Sequence, residues 1–326
     1  MSEMIEDWPN STSNLLAADQ PPRVVILLAT YNGGAFLSDQ LQSFLAQTHP
    51  NWVLFWRDDG SSDGTVAIME AFASQHGRCV QVTDPPGRLG ATAQFLSLLR
   101  AVHPTLTPDD IVAFSDQDDV WLPCKLSRGA AVLAAAKPDV PALYCARLVV
   151  VDAGLRRIRN SNKPRRVPDF PTSLAQNIAA GCTIMLSRKA VALVADSAAP
   201  PTTFHDWWCY LLITAVGGVC LYDDHDVILY RQHDGNAVGI PPSMARRALA
   251  AMRRGPRMFM DLLCDHLDAL AVRPEVLKME ARENIVRLQE ALRGGIGHRL
   301  LTLRALRLRR QGALETALFW LWFIWG

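Results

Sequence analysis

Between Val24 and Val151 short apolar runs alternate with stretches of helical period, and this alternation restricts the chain to a sheet covered by helices. Strand-like runs occupy 24–29, 53–57, 79–83, 111–114 and 142–151. Helical patterns occupy 35–47, 63–75, 91–102 and 123–136. In the first helix Phe36, Leu37, Gln40, Leu41, Phe44 and Leu45 recur at i, i+4 and i+7, which predicts one face packed on the sheet. With 326 residues, 49% of them hydrophobic, the chain has material for a full core. The fold class is α/β, a mostly parallel sheet flanked by helices.

Beyond Val151 the rhythm breaks. A charged, Pro-containing surface loop is expected over 156–171, where Arg156, Arg157, Arg159, Lys163, Arg165 and Arg166 follow the earlier Arg147. A helix near 174–179, a strand at 183–186, a helix opened by Asp206 and strands at 219–222 and 227–231 complete the body. Residues 1–22 lack a period and end in Pro21-Pro22, which reads as a flexible arm. Residues 23–240 form the main domain and 241–326 a basic helical extension, broken near Gly294, Gly295 and Gly297.

The polar residues gather where the apolar runs stop. Thr30-Tyr31-Asn32-Gly33-Gly34 follows the first run, Asp58-Asp59-Gly60-Ser61 the second, and Asp116-Gln117-Asp118-Asp119-Val120-Trp121 the fourth. Ligands of open α/β sheets collect at the carboxyl ends of strands, so three such ends imply one shared pocket of a size and polarity suited to a nucleotide. Carboxylates this close repel one another, and Mg²⁺ or Mn²⁺ relieves the repulsion while keeping positions open for phosphate oxygens. The third end therefore reads as a metal-diphosphate clamp. Asp63 reads as a helix N-cap rather than a ligand.

Seven cysteines are scattered without CxxC or metal-ligand spacing, which points to free thiols. The polar, acidic residues 1–20 do not resemble a signal peptide, and a cytoplasmic location is expected. Residues 241–326 carry 15 Lys and Arg against 8 Asp and Glu, leaving 18 against 24 for residues 1–240. A basic tail suits an anionic membrane surface, and the Trp-rich run 317–325 is shorter than the ~20 residues a span needs. The extension is thus expected either on the inner face of the cell membrane or packed on the body as a basic helix. Stepping about 100° per residue along 299–310 does not bring Arg304, Arg307, Arg309 and Arg310 to one side.

Ala29-Thr30-Tyr31-Asn32-Gly33, Asp58 to Thr65, Asp116 to Trp121, Gln176-Asn177 with Gly181-Cys182-Thr183, His205-Asp206-Trp207-Trp208 and Tyr230-Arg231-Gln232-His233 together resemble the family-two glycosyltransferases of GT-A fold, most of all their rhamnosyltransferase-like members. The resemblance covers about residues 23–238. It implies a GT-A type nucleotide-binding sheet and a nucleotide-sugar pocket formed by Thr30, Tyr31, Asn32, Asp58, Asp59, Ser61, Asp116 and Gln117, with Asp58 on the pyrimidine. It implies metal ligation by Asp118, Asp116 and His233, and Asp206 as catalytic base. Acceptor contacts fall to Gly181, Trp207 and Trp208. Arg88 and Asp234 depart from the family's usual residues.

The implied reaction is metal-dependent transfer of a sugar such as rhamnose, with inversion, from a nucleotide-diphosphate donor to a glycan or lipid-linked glycan acceptor in surface polysaccharide synthesis. No nucleic-acid partner is expected. Two other readings stay open at this point: a metal-dependent phosphohydrolase using Asp116-Gln117-Asp118, and a non-catalytic sugar-nucleotide-binding protein on the same scaffold.

Overall fold

The structure, a computed structural model, describes residues 21–167, 169–233, 235–236 and 244–326, with side chains from residue 256 onward in the last segment. Nearly all of the expected arm, the boundary near residue 240 and Asp234 lie outside them.

Strand β1 (Val24–Thr30) is buried along almost its whole length, with Val24, Ile26 and Leu28 in one core cluster and Val25 and Leu27 in another. Both faces are apolar because helices cover both, the usual situation of parallel strands. β2 (Trp52–Asp58) and β4 (Ile111–Ser115) flank β1 in parallel, and β3 (Cys79–Gln81) pairs in parallel with β2. Helices α1 (Leu37–Leu45), α2 (Thr65–His76) and α3 (Ala91–Val102) make the crossovers. The cap position of α2 is Gly64, one residue after the expected Asp63, and its other end closes at Gly77 with φ of 60°. On α1, Leu45 is 40% exposed, so the packed face is narrower than the spacing predicts.

The second half adds β5 (Val120–Trp121), α4 (Lys125–Ala134), β6 (Ala142–Val151), β7 (Arg157–Asn160), β8 (Met185–Leu186), α5 (Arg188–Ala195), α6 (His205–Ala215) and β9 (Val219–Arg231). The strand order is β3-β2-β1-β4-β8-β6-β9-β5, with β7 on β6. β8 runs antiparallel to β4 and β6, and β5 antiparallel to β9, so the sheet is parallel in its first four strands and mixed beyond. β9 is one strand where two are expected. Register shifts near Arg147 bend the β6–β9 pair, so that one strand spans from α6 to the loop after β4.

Two expectations fail for local reasons. No helix forms at 174–179; a single 3-10 turn spans Thr172–Leu174, and the Asn177 side chain takes both the Ala179 N–H (3.0 Å) and its carbonyl (3.1 Å). That amide offers the backbone an alternative to helical pairing. The loop expected at 156–171 contains β7, which the basic composition hides.

Helices α7 (Met244–Ala271), α8 (Met279–Arg293), α9 (Ile296–Ala305) and α10 (Ala313–Trp325) pack on the face that carries α3, α5 and α6. Leu263, Leu267, Ile285, Leu288, Phe319 and Phe323 belong to one core cluster with Val25, Leu27 and Phe114. The break falls at Gly294-Gly295, and Gly297 lies inside α9. No helix among the described residues is long and apolar enough to cross a membrane.

Candidate active site

The carboxyl ends of β1, β2 and β4 meet through side chains that replace missing backbone partners. Beyond β1 the Gln117 amide accepts from the Tyr31 N–H (2.8 Å) and donates to the Tyr31 carbonyl (2.9 Å), joining the tips of β1 and β4. Asn32, at φ 48°, donates its N–H to Ser61 Oγ and accepts from the Ser62 N–H, both at 2.8 Å. Asp63 accepts from the Thr65 hydroxyl and N–H and from the Gly34 N–H, so it pins two turns together. The Arg88 guanidinium lies 4.0 Å over the exposed Tyr31 ring.

Gly33 permits this junction. A Cβ there would stand 2.2 Å from Gln117 Oε1, inside van der Waals contact. Gly33→Ala is expected to expel the Gln117 amide and cost about 1–3 kcal/mol, the two lost hydrogen bonds being the cause. Chemical denaturation of Gly33→Ala, Gln117→Ala and the double variant checks this. Strictly additive costs would show that the two positions do not share the interaction.

The two β2 carboxylates are largely spent on structure. Asp58 accepts from the Thr30 hydroxyl (2.9 Å), the Gly60 N–H (3.0 Å), and the Ser61 N–H (2.7 Å) and hydroxyl (2.6 Å). Asp59 is 2% exposed, pairs with buried Arg57 at 2.8 Å, and accepts from the N–H groups of Leu89 and Gly90 at 2.7 Å each. Burial works to raise the Asp59 pKa, yet the Leu89, Arg57 and Gly90 hydrogen bonds hold it below the ordinary value. Asp59 is therefore corrected from a donor contact to the anchor of the loop that carries Arg88.

After β4 the acids separate into two levels. Asp118 and His233 face each other with Oδ2 and Nε2 3.0 Å apart, their side chains 14% and 19% exposed. Deeper, Asp119 has no exposed surface; its Oδ1 accepts the Arg231 N–H at 3.1 Å, and Oδ2 has no partner among the described residues. Ligand atoms of Asp116, Asp119 and Cys182 lie within 4.8 Å of one another. Burial first, then the charges of Asp118 and Asp206, push Asp116 up to about 7. Beneath them Lys125 is fully buried, its Nζ 3.6 Å from the Trp121 ring centroid and without a hydrogen-bond partner among the described residues. Burial lowers Lys125 to about 7, against the raising influence of Cys182, Asp119 and Asp116.

Asp206 approaches from α6. It is the second residue of that helix rather than its cap, which is Phe204. Its Oδ1 accepts the Trp207 N–H at 2.6 Å, and the nearby Gly181 N–H and Asn177 side chain favour the charged carboxylate. Burial outweighs these bonds and raises the group to about 6. Gly181 allows the close approach, since a Cβ there would lie 2.8 Å from His205 Nε2. His205 itself is packed between Phe95 and Phe114, and burial lowers it to about 3.

The structure thus brings Thr30, Tyr31, Asn32, Asp58, Ser61, Asp116, Gln117, Asp118, Gly181, Asp206 and His233 to one end of the sheet. Trp208, expected at the acceptor, is 1% exposed with its indole N–H on Ser197 Oγ, and is corrected to a core residue. Trp207 is partly buried; its indole donates to the Ser173 carbonyl at 3.0 Å, and its ring meets Phe259 and His266. That position joins α6 to α7.

Arg231 lies within the last of the sequence motifs, which gives it no role of its own. Its side chain, 3% exposed, donates to the Asp118 carbonyl (2.9 Å), the Ala153 carbonyl (2.6 Å) and Asp39 (2.7 Å), with the guanidinium 4.5 Å over Phe36. An arginine closing an apolar strand was the available signal. Gln40 was read as part of an apolar face, yet turning its amide lets it donate to the Asp119 carbonyl and accept from Trp121 Nε1 and Ser115 Oγ.

A sequence profile described as Glycosyl transferase family 2 matches residues 25–193, just over half of the chain. The dTDP-rhamnosyl transferase RfbG of Shigella flexneri is 26% identical over 220 residues, covering 65% of this chain and 73% of that protein. The putative teichuronic acid biosynthesis glycosyltransferase TuaG of Bacillus subtilis is 32% identical over 107 residues, covering 33% of this chain and 40% of that one. Among solved structures, S. aureus TarS 1–349 superposes with a TM-score of 0.52 at 14% identity, covering 87% of this chain and 90% of that chain.

Proposed function

We propose, since this chain belongs to glycosyl transferase family 2, that it moves a sugar with inversion from a nucleotide-diphosphate donor to a hydroxyl of a glycan or lipid-linked glycan. The chain is a glycosyltransferase by family and of GT-A fold, which favours transfer over the phosphohydrolase and non-catalytic readings. The observation that carries the finer reading is the convergence of Asp118, His233, Asp116 and Asp206 at the strand ends.

A divalent cation fits the upper level of acids. Asp118 and His233 offer a carboxylate and an imidazole, both partly exposed, and Asp116 stands close enough to feel the Asp118 charge. The deeper cluster suits one less well, because buried Lys125 occupies the position of a counter-ion and burial pushes the Cys182 thiol well up. Asp118 and His233 would hold Mg²⁺ or Mn²⁺, with Asp116, which also borders the deeper cluster, as the third candidate ligand; the cation would supply neutralisation of the leaving diphosphate. Asp206 takes the proton of the attacking hydroxyl, and the first turn of α6 and Asn177 keep its carboxylate oriented. Tyr31, with Arg88 over its ring, and the Asn32–Ser61 turn form the donor side.

RfbG's activity makes a dTDP-sugar such as dTDP-rhamnose the first donor to test, and TuaG's role in teichuronic acid synthesis supports a surface polysaccharide product. Thermal shift with a panel of nucleotide sugars, with and without Mn²⁺, tests the reading. A pyrimidine-diphosphate sugar is expected to stabilise by about 2.7 kcal/mol at a hundredfold excess over Kd. Chelation and Asp118→Ala should each remove most of that gain. Silence across the panel, with the protein folded, would reject it.

A further inference from the structure

Three arginines that a helical projection scatters come together because the helix stops. α9 ends at Ala305, and Arg307 turns the chain back with φ of 51°. The Leu308 N–H then reaches the Leu303 carbonyl and the Arg307 N–H the Arg304 carbonyl, both at 3.2 Å. This is the left-handed helix stop in which glycine normally holds the turning position. An arginine there carries backbone strain that glycine would not, and strain of that kind points to a use for the side chain.

The turn forms an open cavity of about 340 Å³ lined by Leu303, Arg304, Arg307, Arg309 and Trp320. The Trp320 indole is fixed as a wall by its bond to the Leu308 carbonyl at 2.6 Å. No carboxylate lines the cavity, and the three exposed guanidinium groups have no hydrogen bond or ion pair to the described residues. Beside it, α10 presents Leu314, Ala317, Leu321 and Trp325 at i, i+3, i+7 and i+11, all exposed, opposite the buried Phe319, Trp322 and Phe323. Leu314 and Trp325 are 69% and 68% exposed. An unpaired cationic pocket bordering an apolar stripe fits an amphiphile with an anionic head.

We propose that the α9–α10 hairpin seats on an anionic phospholipid surface, its arginine pocket taking a phosphate-ester headgroup and the Leu314–Trp325 stripe entering the acyl boundary. α10 has 13 residues and lies along the surface. The same hairpin touches the segment that leads to the acidic cleft: the Gln311 N–H donates to Gln176 Oε1 at 2.8 Å and Arg166 to the Arg310 carbonyl at 3.2 Å, and Asn177, the next residue after Gln176, is near enough to Asp206 to favour its charged form. The acceptor side would then face the lipid. That consequence rests on Asp206 being the base; the lipid binding does not.

Flotation of the full-length protein with phosphatidylcholine vesicles, with and without phosphatidylglycerol, tests the seat. Wild type is expected to bind only the anionic vesicles. The variant combining Arg304→Gln, Arg307→Gly and Arg309→Gln should bind on the order of a hundredfold more weakly. Arg307→Gly alone should lose about fivefold with no fall in melting temperature, since glycine suits the turn. Donor-induced thermal shift should be the same in all variants, which keeps failure of the lipid seat distinct from failure of the donor site. Equal binding by the triple variant, or equal binding to neutral vesicles, overturns the proposal. So does a melting shift with inorganic pyrophosphate that the triple variant loses, in a protein that ignores vesicles, which would make the pocket a site for a free phosphate.

Discussion

Asp206→Asn is expected to lower the transfer rate about 10²–10⁴-fold while the nucleotide sugar binds as before. Asparagine keeps the size and one acceptor oxygen for the Trp207 N–H, so the first turn of α6 survives, but it has no lone pair basic enough to take the acceptor proton. The pH profile gives a second check. Burial raises Asp206 to about 6, and only the deprotonated carboxylate acts as base. In wild type kcat/KM should therefore rise with pH through about 6 and level off above it, whereas the residual rate of the variant should lack that limb. A variant with wild-type turnover would remove Asp206 from the reaction.

The next largest effect is structural. Arg231→Ala removes a buried cation whose three donor directions hold the Asp118 carbonyl, the Ala153 carbonyl and Asp39. Breaking a buried charged network costs about 3–5 kcal/mol, and Asp39, with 36% of its side chain exposed, recovers part of that through water, so the low end applies. The melting temperature should fall by about 5–10 °C. Because Arg231 positions the Asp118–Asp119 turn, donor binding should weaken even below the new melting point. Arg231→Lys keeps the charge but cannot reach all three acceptors, so it should restore less than half of the loss. Full recovery with lysine would show that charge alone matters there.

Much of this site was readable before folding. Short apolar runs that end in Thr, Asp and Gly mark strand tips, and the order of the motifs placed those tips on one side of a sheet. Helix 91–102 and strand 142–151 coincide with α3 and β6, since each has a strong period and clear ends. The errors arose where a side chain competes with the backbone or where a fold-wide partner decides. Asn177 replaced a helix by its own amide bonds. Asp59 and Trp208 looked like ligands because residue type was visible and burial was not.

Local pattern settled the class of fold and the family and gathered the polar residues at the strand tips, because period, turn residues and carboxylate spacing are properties of neighbours in the chain. Tertiary structure alone decided where each acid sits. It lifted Asp118 to meet His233, sank Asp119 beside Lys125 and carried Asp206 in on α6, although these residues lie up to 115 positions apart. A carboxylate's role follows from its desolvation and its opposing charges, and both come from residues that only the completed sheet brings near.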